Sequence, residues 1–129
     1  MKSIKQSYKI KAPISKVWQA LTDSDIISKW SENPAQMDDK VDTEFKLWGG
    51  EIYGKNTKII PNKLLEQDWS DGNFAEPSFV LFALSEKDGI TTIDLTQNNV
   101  PDDQFDDIND GWKVYYLGPL KNLVETTQF

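Results

Sequence analysis

From Asp103 to Phe129 the chain reads DQFDDINDGWKVYYLGPLKNLVETTQF. Ile108, Trp112, Tyr115, Tyr116, Pro119, Leu120, Leu123 and Val124 fall three and four apart, the period of a helix with one apolar face. Asp102, Asp103, Asp106, Asp107 and Asp110 crowd its start, where the helix dipole favours negative charge. Pro119 lies inside the stretch and must kink the helix or interrupt its hydrogen bonding, with Gly118 relaxing the backbone beside it. One long helix at the end of a mostly strand-like chain restricts the architecture to a sheet that packs on that helix.

The remainder alternates with period two. Ile4, Gln6, Tyr8 and Ile10 share one face of a first strand, and Lys5, Ser7, Lys9 and Lys11 the other; these lysines protect an edge if the strand lies at one. Pro13, or Ser15, starts a short helix with Ile14, Val17, Trp18 and Leu21 on one face. Capping residues at 22–25 separate it from a second short helix carrying Ile26, Ile27 and Trp30. The polar segment 31–42 reads as loop, with a short strand near Ala35 to Met37.

Five further strand patterns follow. Phe45 and Leu47 share a face, and Gly49-Gly50 turns the chain. In the next strand Ile52 and Ile60 are assigned to one face, Tyr53 and Ile59 to the other; Gly54 implies a bulge or a close approach. Leu65, Gln67 and Trp69 share a face before a turn at Asp71-Gly72-Asn73. Ser78 to Leu84 is apolar on both faces and so belongs at the sheet's centre. A loop at 86–89 leads to a strand with Ile93 and Leu95 on one face and Thr92, Asp94 and Thr96 on the other. The fold class is α+β: a curved antiparallel sheet wrapped around a long C-terminal helix, with two short helices after the first strand.

Composition narrows the chemistry. A chain of 129 residues, 38% hydrophobic, suits one domain with a single core. The net charge of −7 argues against nucleic-acid binding. Every basic residue is Lys, so no guanidinium fork is available. There is neither His nor Cys, which excludes Ser-His-Asp and thiol catalysis, disulfides and the usual zinc sites. A mean hydropathy of −0.57 and the lack of a long apolar run exclude a membrane helix. The start, MKSIKQSYKIKAP, has no signal-peptide core, so a cytoplasmic protein is expected.

Several pieces, in order, resemble a known family: IKAPISKVWQALTDSDIISKW at 10–30, FKLWGGEIYGKN at 45–56, LLEQDW at 64–69, TTIDLTQNNVP at 91–101 and GWKVYYLGPLKNL at 111–123. They resemble the START-like superfamily, also called SRPBCC or Bet v 1-like. Within it they are most similar to the homologue-1-like activators of the heat shock protein 90 ATPase. The resemblance implies a helix-grip fold over residues 1–129 as one domain. The superfamily implies an apolar cavity for a lipid, polyketide or sterol-like molecule. The family implies a chaperone partner; its two-domain members drive the ATPase mainly through an N-terminal domain, and this chain looks like the C-terminal domain alone.

The expected pocket lies between the long helix and the concave sheet face. Trp69, Trp112 and Tyr116 are its lining candidates, with Phe45, Leu65, Tyr115, Phe82 and Leu120 behind them. Tyr115, Tyr116 and Gln67 are the candidates for its polar groups. The same residues also suit a solid core with no cavity, which is what aromatic residues at helical spacing usually form. The aspartates at 102–110 suit dipole compensation better than a cation site, since they lack the glycine and terminal glutamate of an EF-hand loop. Gly49-Gly50 reads as a hairpin turn and not a phosphate loop. An enzyme would need Asp94 or Glu66 beside the cavity, and both alternate outward. The expectation is therefore a non-enzymatic binder of a small apolar ligand, with no cofactor and no metal. The other reading is a protein-interaction module meeting a chaperone through Lys5, Lys9 and Lys11 or through Trp48, unless Trp48 packs on a neighbouring loop.

Overall fold

The computed structural model describes residues 1–72, 74 and 76–127. Among these residues, six strands form one antiparallel sheet in the order β1-β6-β5-β4-β3-β2. They are β1 (Lys2–Ile10), β2 (Glu44–Leu47), β3 (Ile52–Ile60), β4 (Leu64–Ser70), β5 (Ser78–Lys87) and β6 (Ile90–Val100). Two short helices, α1 (Ile14–Thr22) and α2 (Ser24–Ser31), follow β1. The curved sheet grips a helical run from Asp102 to Thr126, which is the α+β helix-grip arrangement. Of the expected stretch, Gln128 and Phe129 lie outside the described residues, as does Asn73 of the Asp71-Gly72-Asn73 turn.

β1 is an edge strand, and Lys5 and Lys9 stand exposed on its outer face while Ile4 and Ile10 are buried. β5 lies between β4 and β6, as its two apolar faces require, although Phe79 on the outer face stays 48% exposed. The β5–β6 turn is tighter than the sequence suggests. Both strands run up to Asp88-Gly89, whose φ values of 55° and 77° make the left-handed two-residue turn that matches strand twist. The expected strand near Ala35 to Met37 reduces to a single bridge, Gln36 to Lys46.

The face assignment in β3 is corrected. Asn56 pairs with Gln67 but Lys58 pairs with Glu66, so Thr57 is an extra residue. The bulge moves Ile59 to the inner face, against the core, and leaves Ile60 39% exposed. Ile52 and Ile60 therefore do not share a face. Gly54 is a close approach and not the bulge: a Cβ there would stand 1.9 Å from the Asp68 carbonyl oxygen.

Pro13 precedes α1, and its carbonyl accepts from Lys16 and Val17. Asp23 caps α2, its Oδ1 accepting from the N–H groups of Asp25 and Ile26 at 2.9 and 3.1 Å. Trp30 on α2 fixes the angle between the two helices by donating from Nε1 to the Ala20 carbonyl at 2.9 Å. The pair then supports the far end of the helical run.

That run has four parts: a 3-10 turn at Asp102–Gln104, α3 (Phe105–Gly111), a π-helix at Trp112–Leu117, and α4 (Gly118–Thr126). Pro119 explains the π turns. It has no N–H for the Tyr115 carbonyl and its ring would crowd that group in an α-helix. Widening the turn removes the conflict, and the Gly118 N–H donates to the Lys113 carbonyl five residues back. A Cβ on Gly118 would lie 2.1 Å from that same oxygen, so the wide turn needs glycine.

Candidate functional site

The π segment places Trp112 and Tyr116 inside and Lys113, Val114 and Tyr115 outside. Tyr116 becomes the centre of an aromatic cluster. Its ring lies 4.7 Å from Trp30, 4.8 Å from Trp112, 5.6 Å from Phe82, 5.9 Å from Trp69 and 6.0 Å from Trp48, centroid to centroid. Tilted and edge-on pairs dominate, as ring quadrupoles prefer.

Buried amides orient the indoles. Trp69 Nε1 donates to Gln67 Oε1 at 2.8 Å, and Gln67 Nε2 donates to Asn56 Oδ1 at 2.8 Å. Trp112 Nε1 donates to Gln97 Oε1 at 2.7 Å, and Gln97 Nε2 to Ser78 Oγ at 3.0 Å. These chains satisfy the polar atoms of a buried sheet face. They also correct one expectation: Gln67 is fully buried and committed to Trp69 and Asn56, so it presents no group to a ligand. The Tyr116 hydroxyl is the exception to the pattern. It is buried with no hydrogen-bond partner among the described residues, and burial holds its pKa well above the usual tyrosine range.

Beside this cluster opens a groove of about 570 Å³. The helical run contributes Ile108, Tyr115, Tyr116 and Pro119; the β2–β3 turn contributes Trp48, Glu51 and Ile52; the end of α2 contributes Trp30, Glu32 and Asn33. Trp69 and Trp112 also line it. Of the residues singled out from sequence, Trp69, Trp112, Tyr115 and Tyr116 border the groove, with Tyr115 at the rim and 65% exposed. Phe45, Leu65, Phe82 and Leu120 are buried and border no part of it; they fill the space between helix and sheet where the pocket was expected.

Trp48 is the main residue that sequence reasoning misplaced. It is half-buried and packs edge-on against Tyr116, so it is neither a free surface residue nor packed only on a loop. The backbone explains why. Trp48, Gly49 and Gly50 have φ values of 50°, 68° and 98°, a left-handed run that strand alternation does not anticipate. The Gly49 N–H ties the turn to the Pro34 carbonyl at 3.1 Å. The doublet Gly49-Gly50 was the available signal.

The other charged candidates lie elsewhere. Asp94 is exposed, and Glu66 on the same outer face accepts from Thr57 Oγ1 at 3.0 Å. The aspartates from 102 to 107 occupy the first turns of the helical run. No described helix is long and apolar enough to cross a membrane.

The model of the family described as Activator of Hsp90 ATPase homolog 1-like protein matches residues 11–125. The chain belongs to this family. A solution structure of the Aha1 dimer from Colwellia psychrerythraea is 30% identical, with a TM-score of 0.85 and all of both chains covered. A crystal structure of an Hsp90 activator from Plasmodium falciparum is 24% identical, with a TM-score of 0.88 and 96% of each chain covered. The Activator of 90 kDa heat shock protein ATPase homolog of Dictyostelium discoideum is 28% identical over 61% of this chain and 21% of its own length. The chain spans 21% to 36% of the length of such curated relatives. The family match includes every groove-lining residue named above, from Trp30 to Pro119.

Proposed function

We propose that this chain binds a small, largely apolar ligand in the groove between its helical run and the β2–β3 turn, without catalysing a reaction on it. The observation that carries this reading is the groove itself, about 570 Å³ and walled by Trp30, Trp48, Trp69, Trp112, Tyr115 and Tyr116. The Tyr116 hydroxyl beside it is buried without a partner among the described residues, at a cost of about 1–3 kcal/mol, and a ligand that parts the covering rings would gain that hydrogen bond. The volume lies within the range of small-molecule sites, and the walls are aromatic. A lipid, polyketide or sterol-like body suits such walls. Against catalysis stand the absence of His and Cys and the outward direction of Asp94 and Glu66. The buried residues form one hydrophobic cluster from Ile4 to Val124, which supports one domain over 1–129.

The test is an amide NMR titration with a fatty acid, a flavonoid and a sterol. The reading expects shifts at the indole signals of Trp48, Trp69 and Trp112, and weaker binding by Tyr116→Phe. No shift with any compound overturns it.

A second reading, regulation of a heat shock protein 90 type ATPase, is supported by the family and by its relatives' names. It predicts that the chain alters the chaperone's ATPase rate, and that Lys5→Glu and Lys9→Glu on the outer face of β1 reduce the effect. An unchanged ATPase rate with the wild-type chain overturns it.

A further inference from the structure

We infer that the groove selects an organic cation, a quaternary ammonium or similar onium group carried on an apolar body. This rests on the ligand-binding reading and names the ligand's class. The charged residues bordering the groove are Glu32 and Glu51, two carboxylates with no lysine among the lining residues. Among the described residues neither carboxylate side chain has an ion pair or a hydrogen bond. Both are exposed to solvent and remain available to a cation at the groove.

The rings supply the second half of the argument. A cation over the face of Trp or Tyr is drawn to the ring's negative π surface, and Trp is the strongest of the aromatics. Trp48 stands half-exposed three residues from Glu51, and Tyr115 stands exposed on the opposite rim. Trp30, Trp69 and Trp112 deepen the aromatic lining.

Backbone electrostatics point the same way. Glu32 is the left-handed C-cap of α2, so the negative end of that helix meets the groove beside its carboxylate. Asn33 Nδ2 takes up one terminal carbonyl, that of Ser31, at 2.9 Å. The chain's net charge of −7 adds a long-range attraction for cations.

Hydration selects within the cations. Leaving water for an apolar, ring-lined groove costs a compact ammonium more than a weakly hydrated onium ion. An anion would face two carboxylates and a helix C-terminus. A neutral body would use the aromatic walls but leave both carboxylates unanswered.

The test compares three probes of one shape by indole NMR or tryptophan fluorescence: naphthylmethyl-trimethylammonium, its neutral carbon isostere, and naphthylacetate. The expected order is cation, neutral, anion, with the cation about tenfold tighter than the neutral isostere and weakened by added salt. In Glu32→Gln/Glu51→Gln the cation's preference falls to within about threefold. The double variant's unliganded indole spectrum checks that the groove is intact. Equal binding of cation and neutral isostere, or a preference that survives the double substitution, overturns the cation assignment and leaves the groove as a neutral-ligand site. Binding by none of the three overturns both.

Discussion

Replacing Tyr116 by Phe removes one oxygen and leaves the ring and its five aromatic neighbours in place. In the unfolded chain the hydroxyl is hydrated; in the fold it is buried with no partner. The unanswered desolvation is worth about 1–3 kcal/mol, so Tyr116→Phe should stabilise the unliganded protein by about 1–2 kcal/mol. For a chain of this size that raises Tm by about 3–8 °C. Urea denaturation followed by tryptophan fluorescence gives the same difference as a shift in midpoint with an unchanged slope.

The pH dependence offers an independent check. Burial raises the folded-state pKa of Tyr116 above its unfolded value, so this stability is whole below about pH 10. Above that, the unfolded chain releases the proton while the folded chain keeps it. Stability then falls by about 1.4 kcal/mol per pH unit until the folded hydroxyl itself ionises. Tyr116→Phe should lack this slope and keep only the share of Tyr8, whose pKa burial also raises. If the variant is no more stable than wild type and its alkaline arm is unchanged, the hydroxyl is satisfied in solution. The argument from it to a ligand then fails.

Three other substitutions test the parts of the site. Trp112→Ala should cost about 3–5 kcal/mol by urea denaturation, because it empties the volume of a buried indole and strips Gln97 Oε1 of its donor. Gly118→Ala should cost about 1–3 kcal/mol or more and shift the Trp112 indole signal, since its Cβ would meet the Lys113 carbonyl at 2.1 Å. Wild-type stability and an unmoved signal would contradict the π turn. Asp23→Ala frees two N–H groups at the start of α2 and should lower stability by about 1 kcal/mol in thermal melts, an unchanged Tm being the contrary result.

Most of the fold was legible because alternation and helical period report which side chains face a core. In β4 the pattern Leu65, Gln67, Trp69 put three residues inward, and all three are buried. In β6, Ile93 and Leu95 are inward and Asp94 outward, as read. The failures of face assignment share a cause: each is a place where the backbone leaves the period that the reading assumes. Thr57 adds a residue to β3 and reverses the faces beyond it. The groove was legible only on the helix and on β4. Its other walls, Trp30 and Trp48, come from an α-helix and a turn brought together by packing, which no local period encodes.

Three departures from local rules lie at the groove, while others, such as the Thr57 bulge and the left-handed Asp42, Asn62, Asp88 and Asn99, lie elsewhere. Trp48 holds a left-handed φ that glycine would occupy without strain, at a cost of about 1–3 kcal/mol. Tyr116 carries a buried hydroxyl that phenylalanine would omit. Pro119 and Gly118 hold a wide helical turn where ordinary helix formers would close a tighter one. Selection for packing alone would remove all three, since each has a simple substitution that relieves it. They border the same groove or set the positions of the residues that do. Functional sites are among the places where such local conflicts are tolerated. The Trp48 turn brings an indole to the groove's lining, and the π segment sets Trp112 and the buried Tyr116 behind it. An apolar occupant would cover the aromatic surface that these features present, as the ligand proposed above requires.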